Sequence, residues 1–166
     1  AAGRSPPTTR TAASPRRSAR TWRCSATTNG ERVLNAALLR TTPESLEEKQ
    51  PLSNEGESLV LVMDGRVDNC QELRHELLGR GSVLRDRSDA ELVLRAYESW
   101  GEDCLDRIIG EFVFFIWNAR QRQLFGARDA AGTRHFYYHS GNGWFAFASE
   151  IKGLLAACRG RFQDAV

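Results

Sequence analysis

Leu59-Val60-Leu61-Val62-Met63 is apolar at every position, and polar segments carrying glycine close it on both sides, Glu55-Gly56-Glu57 before and Asp64-Gly65 after. So short a run, rich in branched residues and bounded by turn signals, reads as a buried strand. A buried strand needs covering layers, and the rest of the chain offers helices for them. One helix is predicted from Asn69 to Gly79, with Leu73 and Leu77 as its apolar stripe. Ser88-Asp89-Ala90-Glu91 predicts a capping box, with Ser88 accepting from the Glu91 N–H and Glu91 reaching back. It opens a second helix bearing Leu92, Leu94, Ala96, Tyr97 and Trp100, which Gly101 ends. A short third helix is predicted over 102–108, packing Cys104, Leu105 and Ile108.

The remaining elements read as two hairpins and a last helix. Phe112–Trp117 and Gln123–Ala127 flank a polar turn; Arg134–His139 and Trp144–Ser149 flank Ser140-Gly141-Asn142-Gly143, where glycine and asparagine tolerate positive φ. A terminal helix is predicted over 150–158. Runs of strands with helices between them imply an α+β fold whose helices cover sheet faces. No phosphate-cradling glycine loop occurs, and no run approaches the ~20 apolar residues of a membrane-spanning helix.

Charge divides the chain. Residues 1–30 hold six arginines and no acid, leaving 17 basic and 21 acidic side chains, a net −4, for the other 136 residues. Of those first thirty, twenty-five are Ala, Arg, Ser, Thr or Pro and none is Leu, Ile, Val or Phe. Such a segment cannot bury enough apolar surface to offset its ordering entropy, so a disordered basic arm is expected over 1–30 and the folded domain over 31–166. The arm admits three readings: a transit peptide, a contact for nucleic acid or another anionic surface, or a stretch that is not the domain's native start. After it, Val33–Leu39 is apolar and Thr41–Ser45 breaks the pattern. Cys24, Cys70, Cys104 and Cys158 are widely spaced, without a C-x-x-C pair, and read as free thiols in a reducing compartment. A cytoplasmic protein is expected. His135 and His139 fall in a strand pattern, so no metal site is expected.

Several of these patterns, in this order, resemble the class II glutamine amidotransferase domain of asparagine synthetases. Asp64-Gly65-Arg66-Val67-Asp68-Asn69 is similar to its N-G-E-I-Y-N signature and Arg87–Glu91 to its S-D-T-E element. Tyr97–Leu105 is similar to A-Y-E-x-W-G-x-x-C-L, and Gly110–Trp117 to G-x-F-A-F-x-x-W. Ala127-Arg128-Asp129 through Tyr137-Tyr138, then Phe147–Lys152, resemble A-R-D-x-x-G-x-x-x-L-Y-Y and F-A-S-E-I-K. The collinear stretch covers about residues 36–157. The resemblance implies a four-layer αββα sandwich of the N-terminal-nucleophile type, which in the family hydrolyses glutamine and passes ammonia to an ATP-dependent synthetase domain.

In that family an N-terminal cysteine attacks the carboxamide with its own α-amine as base. An asparagine side chain and the next glycine's N–H hold the oxyanion, and an arginine and an aspartate hold the glutamine's charged end. Carried over, the oxyanion positions are Asp64 and Gly65, the arginine position is Leu38 and the aspartate position is Asp89. Residue 1 is alanine and no C-G-I strand appears, so the nucleophile and the first strand are expected to be missing. A carboxylate at 64 accepts and does not donate. Cys24 neighbours Arg23 but shows no strand pattern around it, and is not expected to replace the nucleophile. Leu39–Ser45, Glu48–Leu52 and Asp64–Asn69 resemble one branch in particular, the synthetase-like cyclases that close macrolactam rings in lasso peptides. That branch uses an amine already present in its substrate and can lose the glutaminase site.

These readings imply a degenerate module that supports or positions substrate for a C-terminal or separate synthetase domain. Its partners would be that domain and a peptide substrate, not nucleic acid or a membrane. No cofactor is expected in this chain; ATP and Mg belong to the synthetase domain, whose S-G-G-x-D-S loop does not occur here. A functional glutaminase with its cysteine lost from this chain is the alternative, and a nucleic-acid-binding arm a distant third. Plainer readings also stand: Asp64-Gly65 as a strand-ending turn, Asp89 as part of a helix cap, and Trp100, Phe112, Phe114 and Trp117 as core.

Overall fold

The computed structural model describes residues 20–25, 50–141 and 144–158. β3 (Leu59–Val67) and β4 (Gly110–Asn118) form its centre, pairing antiparallel over nine positions from Leu59↔Asn118 to Val67↔Gly110. β5 (Gln123–Arg128) folds back on β4, and the two-residue β2 (Leu52–Ser53) lies on the far side of β3. With β1 (Arg20–Ser25) the sheet order is β1-β5-β4-β3-β2, and β6 (Tyr137–Gly141) and β7 (Trp144–Ala148) make a second, two-stranded sheet.

Strand alternation sorts the core into two clusters. Leu61, Met63, Phe112, Phe114 and Ile116 face a helical layer with Leu73 and Leu77 of α1 (Cys70–Gly79) and Leu92, Val93 and Ala96 of α2 (Asp89–Trp100). Val62, Val113 and Phe115 face the second sheet and pack against Phe136, Phe145 and Phe147. The Phe115 ring stacks on Phe147 with centroids 3.9 Å apart. Room for it is made by Gly126, where a Cβ would lie 2.3 Å from the Phe115 ring. α3 (Ile151–Cys158) packs behind β6 and β7, completing the four-layer αββα sandwich. Among the described residues no helix is long and apolar enough to cross a membrane.

Four expectations need correction. Arg20–Ser25, assigned to a disordered arm and to surroundings without strand character, pairs along β5 from Arg20↔Arg128 to Ser25↔Gln123. An open sheet edge offers unpaired backbone groups, so a strand can join it on hydrogen bonds without an apolar pattern. Ser88 does accept from the Glu91 N–H (3.2 Å), but the Glu91 carboxylate does not reach back. It accepts instead from Arg85 and Arg95, a stronger interaction than a backbone cap offers, while the Ser88 N–H goes to Asp86. The third helix is a 3₁₀ segment, Gly101–Asp106, too short to reach Ile108. β6 begins at Tyr137 instead of Arg134, because Asp129 ties residues 129–133 into a turn.

Candidate functional site

Asp64 and Gly65 lie toward the end of β3, and the strand's geometry separates their roles. Side chains alternate across a strand, so Asp64 shares the face of Val62 that looks toward the second sheet. Backbone N–H groups alternate between edges. Met63 donates to Gln50 Oε1 (2.6 Å) and Val67 to Asp89 Oδ2 (2.9 Å), both on the edge away from β4. Gly65, midway between them, turns its N–H to that same edge. Gln50 Nε2 also donates to the Met63 carbonyl (2.9 Å), so its amide plays the part of a neighbouring strand. Glycine is required at 65: φ is +140°, and a Cβ would lie 2.2 Å from the Glu111 carbonyl oxygen.

Asp89 is the first residue of α2, and its hydrogen bond to Val67 brings it beside Gly65 at the strand's edge. Asp64, Gly65 and Asp89 are thus brought to one end of β3, whereas Leu38 lies outside the described residues. α2 is fixed there by charge. Arg85 and Arg95 both donate to the buried Glu91 carboxylate (2.7 Å each), and Arg95 also pairs with Glu98 (2.7 Å) and with Glu55. Arg85 Nη1 donates to the Ser53 carbonyl (2.8 Å), which holds the chain that leads from Gln50 into β3.

On the face toward the second sheet, Asp64 borders a cleft of about 590 Å³ lined also by Thr133, Arg134, His135, Tyr137 and residues 149–152. The Asp129 carboxylate shapes its rim by accepting from the Gly132 N–H (2.7 Å) and the Thr133 hydroxyl (3.0 Å). Burial pushes the Asp129 pKa up, and the Thr133 and Gly132 donors reverse this, so the carboxyl titrates below its ordinary value. The turn sets Arg134 near Asp64, with Nη1 3.7 Å from Oδ1. Sequence reasoning missed Arg134, Lys152 and Gln50; the first two stand inside quoted motifs, but nothing local tells which way they face.

The register also locates Cys24. Asp64 stands opposite Val113, Val113 opposite Arg128, and Arg128 opposite Arg20. Arg20 is thus three strand spacings from Asp64, roughly 14 Å, and Cys24 lies a further ~13 Å along β1. The backbone at Cys24 therefore stands well away from a carbonyl held at Gly65. Cys104 is fully buried and its thiol pKa is pushed up to about 12, chiefly by burial, so it is no nucleophile either. Among the described residues no group of three or more His, Cys, Asp or Glu could hold a metal ion.

The glutamine amidotransferase domain family matches residues 28–165. Asparagine synthetase [glutamine-hydrolyzing] 3 of Bacillus subtilis (strain 168) is 37% identical over 110 residues, which cover 65% of this chain and 18% of that protein. Asparagine synthetase [glutamine-hydrolyzing] 1 of the same strain is 39% identical over 108 residues, covering 65% and 17%. The chain therefore spans less than a fifth of the length of either relative. Among solved structures, glutamine phosphoribosylpyrophosphate amidotransferase from B. subtilis superposes with a TM-score of 0.56 at 22% identity, covering 65% of this chain and 26% of its own. That likeness is one of fold, and it agrees with the packing of two antiparallel sheets between helices. This chain belongs to the glutamine amidotransferase domain family, in the class II form that asparagine synthetases carry.

Proposed function

We propose that this domain does not hydrolyse glutamine but serves an ATP-dependent amide- or macrolactam-forming protein as a structural or substrate-positioning module. The observation that carries the reading is the side chain at 64. An oxyanion hole needs donors where negative charge develops; Asp64 is an acceptor, half exposed, with Arg134 at 3.7 Å as its ion-pair contact. Replacing one such donor costs about 2.7–4 kcal/mol of transition-state stabilisation, and a fixed negative charge in its place adds repulsion. The distance of Cys24 from this point supports the same reading.

The partner in this proposal is a synthetase domain, on the same chain or separate, which binds ATP and Mg and activates a carboxylate. The macrolactam-forming branch is the form we favour, because an amine within the substrate makes ammonia unnecessary. A peptide is then the substrate, and the cytoplasm the compartment. The test is glutamate release from glutamine, followed with the purified chain. We expect none above the buffer rate, with or without Cys24→Ser; thiol-dependent release would overturn the proposal.

A second reading is favoured by Gly65 and Asp89. Their placement at one edge of β3 suits a glutaminase whose nucleophile comes from sequence outside this chain. Supplying an upstream Met-Cys-Gly strand separates the two readings: the module reading expects no turnover from Asp64 protein, and the glutaminase reading does.

A further inference from the structure

The cleft between β3 and the second sheet holds a cation, Arg134, whose one ion-pair contact among the described residues is loose. Arg134 meets Asp64 at 3.7 Å, beyond hydrogen-bond range, and its Nε is buried with no acceptor among the described residues. A buried donor without an acceptor carries a desolvation cost that an incoming oxygen removes. Lys152 lines the same cleft and makes no ion pair among the described residues. The cleft is open to solvent, with Asp64, Glu150 and Lys152 all exposed, so a peptide side chain or chain end can enter without displacing the fold. Tyr137 and Ser149 add hydroxyls to its lining, while the Thr133 hydroxyl is committed as a donor to Asp129.

We propose that this cleft is a carboxylate-binding subsite for a peptide, with Arg134 as its principal donor and Lys152 as its second. Asp64 and Glu150 also border the cleft, and they select among anions. A phosphate dianion would meet both carboxylates, whereas a singly charged planar carboxylate matches the guanidinium fork at lower repulsion. Asp64 then acts as an internal competitor, occupying Arg134 loosely until a better-placed carboxylate arrives. This rests on the proposed role in positioning a peptide substrate.

The test is a titration of the full chain, by calorimetry or amide chemical shifts, with acetyl-Ala-Glu-Ala-amide and its Gln analogue. Acetyl-Ala-Ala-Ala with a free carboxylate distinguishes a chain end from a side chain, and inorganic phosphate is the comparison anion. The carboxylate peptide of the right source is expected to bind about tenfold more tightly than the amide, the value of one charge-assisted hydrogen bond. Arg134→Gln should erase that difference, with Lys152→Gln as a second variant should Arg134→Gln not fold. Asp64→Asn should tighten carboxylate binding severalfold by removing the competitor. Equal binding of acid and amide, phosphate binding above carboxylate, or weaker binding in Asp64→Asn would each overturn the subsite. Glutamate release would overturn the non-hydrolytic module without touching this titration, so the two failures are separable.

Discussion

Replacing Glu91 by alanine is the sharpest test of how this sandwich holds its candidate site. The carboxylate is fully buried and accepts four hydrogen bonds, from Arg85 N (3.2 Å), Nε (3.1 Å) and Nη2 (2.7 Å) and from Arg95 Nε (2.7 Å). Removing one partner of a buried pair costs about 3–5 kcal/mol, because the other charge stays buried. Two features place this case near the lower bound. Arg85 is 36% exposed and can turn to water, and Arg95 keeps Glu55 and Glu98. We expect about 3 kcal/mol for Glu91→Ala and about half of that for Glu91→Gln, which retains one acceptor. Urea denaturation at pH 7 measures both, read as a lower midpoint at unchanged slope. A loss below ~1 kcal/mol for the alanine variant would mean that solvent screens the network, as it does at a surface.

The same residue gives a pH signature. Burial alone raises the Glu91 pKa, but hydrogen bonds from Arg85 and Arg95 outweigh it and hold the carboxyl below the ordinary 4.5. A depressed folded-state pKa contributes stability that is complete above the unfolded value and lost as pH falls through the folded one. The gap between the parent chain and Glu91→Gln should therefore be full at pH 7 and shrink progressively below about pH 4.5.

Three further outcomes are expected. Gly65→Ala should lose about 2–5 kcal/mol by thermal melt, because strain at φ +140° adds to contact with the β4 backbone, while Gly56→Ala, with open space around it, should be near neutral. Asp129→Asn should destabilise the chain by about 1–3 kcal/mol at neutral pH and by less in acid, since the depressed Asp129 pKa puts its contribution above that value. Cys104, with its thiol pKa pushed up to about 12, should resist iodoacetamide at pH 8 in the native chain and react once urea unfolds it; rapid native labelling would contradict its burial.

What could be read in advance depended on whether the signal was local. Leu59–Met63 became the buried half of β3, and Phe112–Trp117 became β4, because an unbroken apolar run meets a core on both faces. The Ser88 cap was legible because three residues suffice to make it. The far side of that cap was not, since arginines six residues before and four residues after Glu91 outcompete the backbone for its carboxylate. β1 was hidden for a different reason: edge pairing is written in backbone groups, and Arg-Thr-Trp-Arg-Cys-Ser carries no alternation to announce it. At the site, Asp64, Gly65 and Asp89 came from the resemblance to the amidotransferase motifs. Their company did not, because Arg134 meets Asp64 across seventy residues and Gln50 reaches Met63 across thirteen.

The outer edge of β3 is closed by two side chains, Gln50 on Met63 and Asp89 on Val67, beyond a strand of only two residues. A border made of backbone changes only when a segment is inserted or deleted. One made of side chains changes with a single codon. Replacing Gln50 or Asp89 would bare donors on either side of Gly65 while the nine-position ladder between β3 and β4 stays whole. Lineages of this domain can therefore open, shut or re-dress that margin by point substitution, and acquire or lose a chemistry there without redrawing the sheet.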